Sequence, residues 1–363
     1  MKKRIAIAID SLAGGGAERV AITLAMELHR QGHEPHLLIM LPHIEHQVPE
    51  VIPTHFCFEH KNQNIDSVIN LKRSANQLRI WIDRLEQQYG RFDLFLSNLD
   101  KTNILMTKVK VSPLYCVVHN SIVSELTRQR KLGPLAYFKM RRAKRALNGQ
   151  HLITVSKGIE TELKQLSMIK PASVTTIYNP FDFEAIQVLA QSPLPENIPE
   201  NYIVHVGRVA KQKRHDVLFK SLAKMHQNIP LVLLCGNPKK AYKIAKRYGV
   251  AEKVILPGFQ ANPYPWIKHA RLLVLSSDYE GLPTVLIESL ICHTPIVSTT
   301  CPHGPTEIMT GELAQFLVPM RSAAALADTM DAALSQYPTL DDASILRQVS
   351  QTQVAKQYLA LLD

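Results

Sequence analysis

Two glutamates, Glu280 and Glu288, stand eight positions apart in DYEGLPTVLIESLICHTPIV, residues 278–297. The second falls inside Val285-Leu286-Ile287-Glu288-Ser289-Leu290-Ile291-Cys292, which is apolar on nearly every side. A helix with that composition is buried, and an unpaired carboxylate inside it costs several kcal/mol. Pro283 suits the first turn of such a helix, which puts Glu280 at or just ahead of its N-terminus. Glu288 then lies about one and a half turns in, roughly 7 Å along the axis. A second charged set occurs in VHVGRVAKQKRHD, where Gly207 ends a strand, Arg208 follows and Lys213 comes five residues later. A guanidinium fork and an ammonium point charge at the mouth of a parallel sheet suit a pyrophosphate. Lys211 and Arg214 read as solvated loop charges. A buried salt bridge would account for Glu288 alone. Four charges at one sheet mouth fit a nucleotide sugar better, one acid accepting from sugar hydroxyls and the other from a ribose.

A glycine loop, Gly14-Gly15-Gly16, lies after the first strand and opens a helix. Amide groups and the helix dipole favour a phosphate there, although a tight strand-to-helix turn uses glycine for steric reasons alone. A dinucleotide site is disfavoured, because the second strand ends LIMLPH without an acid for a ribose.

The elements that must carry these residues alternate. Lys3 to Ile9 is a short apolar strand; Ala17, Val20, Ala21, Leu24, Ala25 and Leu28 then follow at helical spacing, with Gly32 as the stop. HLLIML, FDLFLS, LYCVVH, HLITVS and SVTTIY are further buried strands, with helical patterns between most of them. The proline-rich QSPLPENIPEN, residues 191–201, belongs to a linker placed at about 182–201. The alternation then restarts with YIVHVG, a helix from about Asp216, PLVLLCG, KVILPG, ARLLVLSS and PIVST. This implies an α/β chain of two Rossmann-like domains, 1–180 and 181–343, whose parallel sheets face a cleft.

At 363 residues, two domains are the default expectation. No apolar run approaches the roughly 20 residues of a membrane-spanning helix. Asp10 closes the first apolar run too early for a signal peptide. The five cysteines form no CxxC and several lie in apolar segments, which favours reduced thiols in a cytoplasm over disulfides or a zinc site. The net charge of +11 is uneven: residues 1–180 carry 25 Lys and Arg against 15 Asp and Glu, residues 181–363 carry 17 against 16. The N-terminal half therefore expects an anionic partner.

EGLPTVLIE, GRVAKQK, the early GGGAERV and the late CPHGPTEI together resemble glycosyltransferase family 4, which has the GT-B fold and retains anomeric configuration. The resemblance runs nearly end to end and looks most like bacterial enzymes of lipopolysaccharide, capsule or lipid-linked oligosaccharide synthesis. It implies a nucleotide-sugar donor, with UDP and a hexose or N-acetylhexosamine favoured. Glu280 then contacts the donor sugar, Glu288 the ribose, and Arg208 and Lys213 the diphosphate. His119, in VVHN, lines the sugar pocket; Pro257-Gly258-Phe259 lies beside the base. Gly15, Gly16 and Gly207, with Gly281, Leu282, Pro283 and Thr284 between the two acids, complete the donor set. A C-terminal helix at about 344–363 packs back on the first domain. Asn237 in CGNPKK, Pro180 in YNPFD and His293 depart from the usual family pattern, which places glycine at these sites. Histidine tolerates positive φ better than most side chains do. No Asp-x-Asp motif occurs, so the resemblance implies neither a metal nor a cofactor.

On the acceptor side, RQRKLGPLAYFKMRRAKR, residues 128–145, holds eight basic residues and no acid, interleaved with apolar ones. Such a segment suits an anionic inner-membrane surface presenting a lipid-borne acceptor, or serves as a plain solvated face. Nucleic acid is the rival partner, but no nucleic-acid module accompanies it. A nucleotide-sugar 2-epimerase and a non-catalytic nucleotide- or RNA-binding protein are the competing functions.

Overall fold

The computed structural model describes residues 1–13, 15–340 and 343–362. Gly14 of the glycine loop lies outside them. The chain divides into two compact units, Met1–Phe181 with Val349–Asp363, and Asp182–Gln348.

The first unit runs β1 (Arg4–Ile9), α1 (Gly16–Arg30), β2 (Glu34–Ile39), β3 (Thr54–Phe56), α2 (Leu71–Tyr89), β4 (Leu94–Asn98), α3 (Asp100–Val109), β5 (Leu114–Val118), α4 (Ile122–Lys131), α5 (Pro134–Arg145), β6 (His151–Thr154), α6 (Lys157–Gln165) and β7 (Ser173–Thr176). Its seven strands are parallel in the order β3-β2-β1-β4-β5-β6-β7. Runs such as IAIAI and LFLSN form its centre because both faces are covered, so no polar alternation is needed. The order reverses between β1 and β4, which sets the carboxyl ends of those strands at a crevice.

The second unit runs α7 (Phe183–Leu189), β8 (Ile203–Val206), α8 (His215–Leu222), β9 (Leu231–Leu234), α9 (Pro238–Arg247), β10 (Val254–Gly258), α10 (Tyr264–Lys268), β11 (Leu272–Leu275), α11 (Thr284–Ile291), β12 (Ile296–Thr299), α12 (Pro305–Ile308), β13 (Leu317–Val318) and α13 (Ala323–Ser335), with α14 (Ser344–Val349) at its end. Its six strands are also parallel, ordered β10-β9-β8-β11-β12-β13, and the reversal falls between β8 and β11. The chain then returns to the first unit. Phe181 and residues 349–351 bond backbone to backbone, and α15 (Gln351–Leu359) packs on α1, where Thr352 donates to Glu27 at 3.0 Å.

Three sequence expectations change here. The stretch 182–201 is not all linker: Asp182 caps α7 by accepting from the Ala185 amide, and α7 packs on α10 and α11. Pro283 is the residue before α11 and not its first helical residue. The basic segment 128–145 is two helices, and Lys144 within it is buried. No helix among the described residues is long and apolar enough to cross a membrane. All five cysteines are free and buried.

Candidate active site

In the second unit, the loop after β8 and the loop after β11 leave neighbouring strands at the switch point, and hydrogen bonds sew them together. Ser276 Oγ donates to the Lys213 carbonyl at 2.7 Å, the Asp278 amide to the Gln212 carbonyl at 2.8 Å, and Gln212 Nε2 to the Tyr279 carbonyl at 2.8 Å. Asp278 also accepts from two guanidinium forks, Arg214 at 3.2–3.3 Å and Arg321 at 3.0 Å through both oxygens. Arg214 grips Asp216 as well, at 2.8 Å twice. Arg214 is thus a structural clamp and not a solvated charge.

The clamped loops place Lys213 against Glu280, Nζ to Oε1 at 2.8 Å, with side chains only 16% and 9% exposed. Gly207 packs alongside: a Cβ there would lie in ordinary contact with Lys213 Cε at 3.5 Å and tightly, at 3.3 Å, against His205 Nε2. The Glu280 loop rests on the late motif. Its amide donates to the Pro302 carbonyl at 3.1 Å, and Gly304 has φ +92° with Pro283 so close that a Cβ would sit 2.2 Å from its Cδ. Only glycine fits there on both counts.

Arg208 is exposed, with no side-chain partner among the described residues. His205 and His215 lie beside Lys213 with ring centroids 5.0 Å apart. His205 donates from Nδ1 to the Val274 carbonyl at 2.8 Å, which leaves its buried Nε2 a bare acceptor. Burial pushes the His205 pKa far down, with His215 adding to the effect, and takes His215 to about 4. Both are neutral near pH 7, so Lys213 and Arg208 carry the positive charge.

Glu288 is buried on α11, where Tyr264 donates to Oε1 at 3.5 Å, the outer limit of a hydrogen bond. Gly281, Leu282 and Pro283 are buried between the two acids, and Thr284 opens the helix half-buried. Gly258 ends β10 with φ +90°, and Phe259 after it is 60% exposed, its ring open to stacking. The departures from the family pattern have structural roles. Asn237 caps α9 by accepting from the Lys240 amide, and His293 takes φ +57° just past α11.

In the first unit, Gly15 caps α1 and Gly16 begins it, but the Glu18 carboxylate folds over the turn: a Cβ on Gly15 would meet its Oε2 at 2.2 Å. His119 bonds Asn98 Oδ1 at 2.9 Å, and Asn98 Nδ2 donates to the Ala8 carbonyl at 3.2 Å. That second bond fixes the amide orientation, so His119 carries its proton on Nε2 and leaves Nδ1 as an acceptor. Burial, opposed by Asp100, brings its pKa to about 4. His119 lines a cavity of about 50 Å³, with Asn103, Glu125 and Lys144. The sequence reading missed Asp10 at the end of β1: burial raises its carboxyl to about 6 against hydrogen bonds from Thr102 at 2.6 and 2.8 Å. A lone acid at a strand end carries no periodic signal.

This is the architecture of a sugar transferase. Residues 14–185 match the profile of Glycosyltransferase Family 4 and residues 190–345 that of Glycosyl transferases group 1. The chain is 27% identical over 321 residues to the Campylobacter jejuni N-acetylgalactosamine-N,N'-diacetylbacillosaminyl-diphospho-undecaprenol 4-alpha-N-acetylgalactosaminyltransferase, spanning 84% of this chain and 83% of that one. Its fold resembles sucrose-phosphate synthase from Thermosynechococcus elongatus (TM-score 0.80, 17% identity, 99% and 98% of the two chains). It also resembles Anabaena HepE in complex with UDP and glucose (TM-score 0.76, 19% identity, 99% of each). The chain belongs to the glycosyltransferases of the GT-B fold, a family 4 domain followed by a group 1 domain.

Proposed function

We propose that the protein is a retaining transferase that moves a hexose or N-acetylhexosamine from a UDP-sugar to a growing lipid-linked, lipopolysaccharide or capsular glycan. The observation that carries this is the Lys213–Glu280 pair beside an exposed Arg208 at the carboxyl ends of β8 and β11. Arg208 and Lys213 meet the diphosphate, Glu280 accepts from sugar hydroxyls, Glu288 from the ribose, and Phe259 stacks on the base. For His119 and the Gly15–Gly16 amides the assignment rests on the resemblance alone. The acceptor oxygen attacks C1 on the face the diphosphate leaves, the C1–O bond breaks, and the acceptor's proton passes to the departing phosphate. Charge grows on that phosphate, where two cations stabilise it; the scheme uses no metal or cofactor. A polyprenol-linked acceptor fits the C. jejuni relative.

Such an acceptor sits at a membrane, and the α4–α5 turn suits one. It exposes Leu132 (68%), Leu135 (86%) and Phe138 (59%) beside exposed Arg130 and Lys131, with exposed Arg145 at the far end of α5. In this reading, apolar side chains insert among anionic phospholipid headgroups with cations nearby, and the protein works on the cytoplasmic face of the inner membrane. A panel of nucleotide sugars assayed for slow donor hydrolysis tests the central claim. Release of UDP and a sugar of unchanged anomeric configuration is expected. Consumption of no donor in the panel would overturn it.

A further inference from the structure

Glu280 holds a cation that another anion also needs. Its Oε1 accepts from Lys213 Nζ at 2.8 Å, and both side chains are mostly withdrawn from water. The same ammonium is the group the proposed function assigns to the donor's diphosphate, so carboxylate and diphosphate compete for it. Little nearby can replace it. His205 and His215 beside Lys213 are kept neutral by burial. Arg214 is committed to Asp216 and Asp278. On the other side of Glu280, Cys301 is a buried thiol, raised to about 12 by burial and then by the Glu280 charge, and it brings no positive charge. The other cations near this loop with no acid bound among the described residues, Arg208, Lys211 and Lys240, are exposed, and Lys240 donates to the Val209 carbonyl at 2.9 Å.

We infer that Glu280 is a selectivity element that opposes a bare nucleoside diphosphate and favours the nucleotide sugar over it. The inference rests on Lys213 binding the diphosphate. A bare diphosphate draws Lys213 away from a buried carboxylate, and a buried charge that loses its partner is costly. A nucleotide sugar brings hydroxyl donors that take the place of Lys213 on Glu280. When the sugar leaves with the acceptor, those donors go with it, Glu280 reclaims Lys213, and the spent diphosphate is loosened. One ion pair thereby couples sugar loss to product release.

Glu280→Gln removes the charge while keeping the shape. Calorimetric titration of UDP, UDP-glucose and UDP-N-acetylgalactosamine into the parent and the variant reads the effect. The variant is expected to bind UDP roughly tenfold tighter, within the span of measured couplings between close charge pairs. The advantage of either UDP-sugar over UDP shrinks by at least that factor, and UDP becomes a stronger inhibitor of turnover. Glu288→Gln, whose acid does not touch Lys213, weakens UDP instead. Unchanged or weaker UDP binding by folded Glu280→Gln overturns the inference. Should melting show that this variant does not fold, Glu280→Asp, which draws the carboxylate back by one methylene, is expected to tighten UDP less but with the same sign. Unchanged affinity there overturns it equally. Failure of UDP and GDP alike to bind even the parent strikes the nucleotide-site reading itself, and so is distinguishable.

Discussion

Lys144 in the first unit and Lys213 in the second are both withdrawn from water at the carboxyl side of a parallel sheet, and they are held differently. Lys144 Nζ meets Asp100 Oδ1 at 2.7 Å, Asp100 Oδ2 at 2.9 Å and Glu125 Oε2 at 2.6 Å. Burial works against its charge, but the two acids outweigh burial and hold its pKa above the ordinary value. Lys213 meets one acid, Glu280. An ammonium has three N–H donors. The first lysine is gripped by two acids, although burial pushes the Glu125 carboxyl up and Arg128 acts on it as well, and has little to offer an incoming phosphate. The second is balanced, and Arg208 beside it tips it positive. On the proposed function, the number of acids around each buried lysine separates a brace from a group kept for a ligand.

The comparison breaks most visibly through Lys144→Met. Removing the brace takes away the ammonium that both Asp100 and Glu125 share, at a cost of about 3–5 kcal/mol. Urea unfolding measures it, and a variant as stable as the parent would show that the triad braces nothing. Next in size come Arg208→Ala and Lys213→Ala, each expected to lower turnover by roughly 10²–10³-fold, the scale for losing a transition-state donor. Arg208 is exposed, so its removal should leave the melting temperature nearly unchanged while rate collapses. Arg208→Lys should not restore full rate, because a point charge does not replace a fork. Normal turnover at saturating donor in either alanine variant removes that residue from the chemistry.

The contrast also corrects how the basic half of the chain is used. Lys144 belongs to the interior, and the cations open to solvent include Arg130, Lys131 and Arg145. Each such residue near an anionic surface contributes about 1 kcal/mol, so changing these three to glutamine should weaken binding to phosphatidylglycerol vesicles roughly a hundredfold at low salt. Sedimentation with and without the anionic lipid measures it. Equal binding to both lipids in the parent ends the membrane proposal.

What can be read in advance follows from range along the chain. Strands such as β1 and β9 are visible because an unbroken apolar run of four or more residues suits a strand covered on both faces, and β4 shows a run of three, Leu94 to Leu96. Edge strands β3 and β13, of three and two residues, are too short to show a period. The helix α7 has its signals, Asp182 as a cap with Phe183, Ile186 and Leu189 on one face, but the prolines that follow mask them. The acids and cations of the second unit are legible as residue types at loop positions. Their contacts are not: Lys213 and Glu280 are 67 residues apart, and Lys144 and Asp100 are 44 apart. A charge count cannot tell a solvated lysine from one folded between two carboxylates.

The smallest effect tests what keeps Lys213 and Glu280 in register. Asp278 lies two residues before Glu280 and joins the forks of Arg214 and Arg321, both of which adopt left-handed backbone, φ +48° and +65°. That conformation is uncommon for a side chain of this size, and persists where surrounding bonds over-determine it. Asp278→Asn leaves one acceptor oxygen where two served, so one fork must be released and the 276–280 loop relaxes. Arg321 is exposed, and an exposed ion pair contributes at most about 1 kcal/mol, so Arg321→Gln should change activity no more than a few-fold. Arg214 is held from both sides and its release moves Lys213 directly. Asp278→Asn is therefore expected to lower kcat roughly tenfold at saturating donor, since small displacements of positioning groups are costly in rate. Affinity for UDP should change less than kcat, because Arg208 and Glu288 lie outside the clamp. Steady-state kinetics beside calorimetry separates the two. A variant with full kcat and lowered melting temperature would show that the clamp supports the fold and not the site.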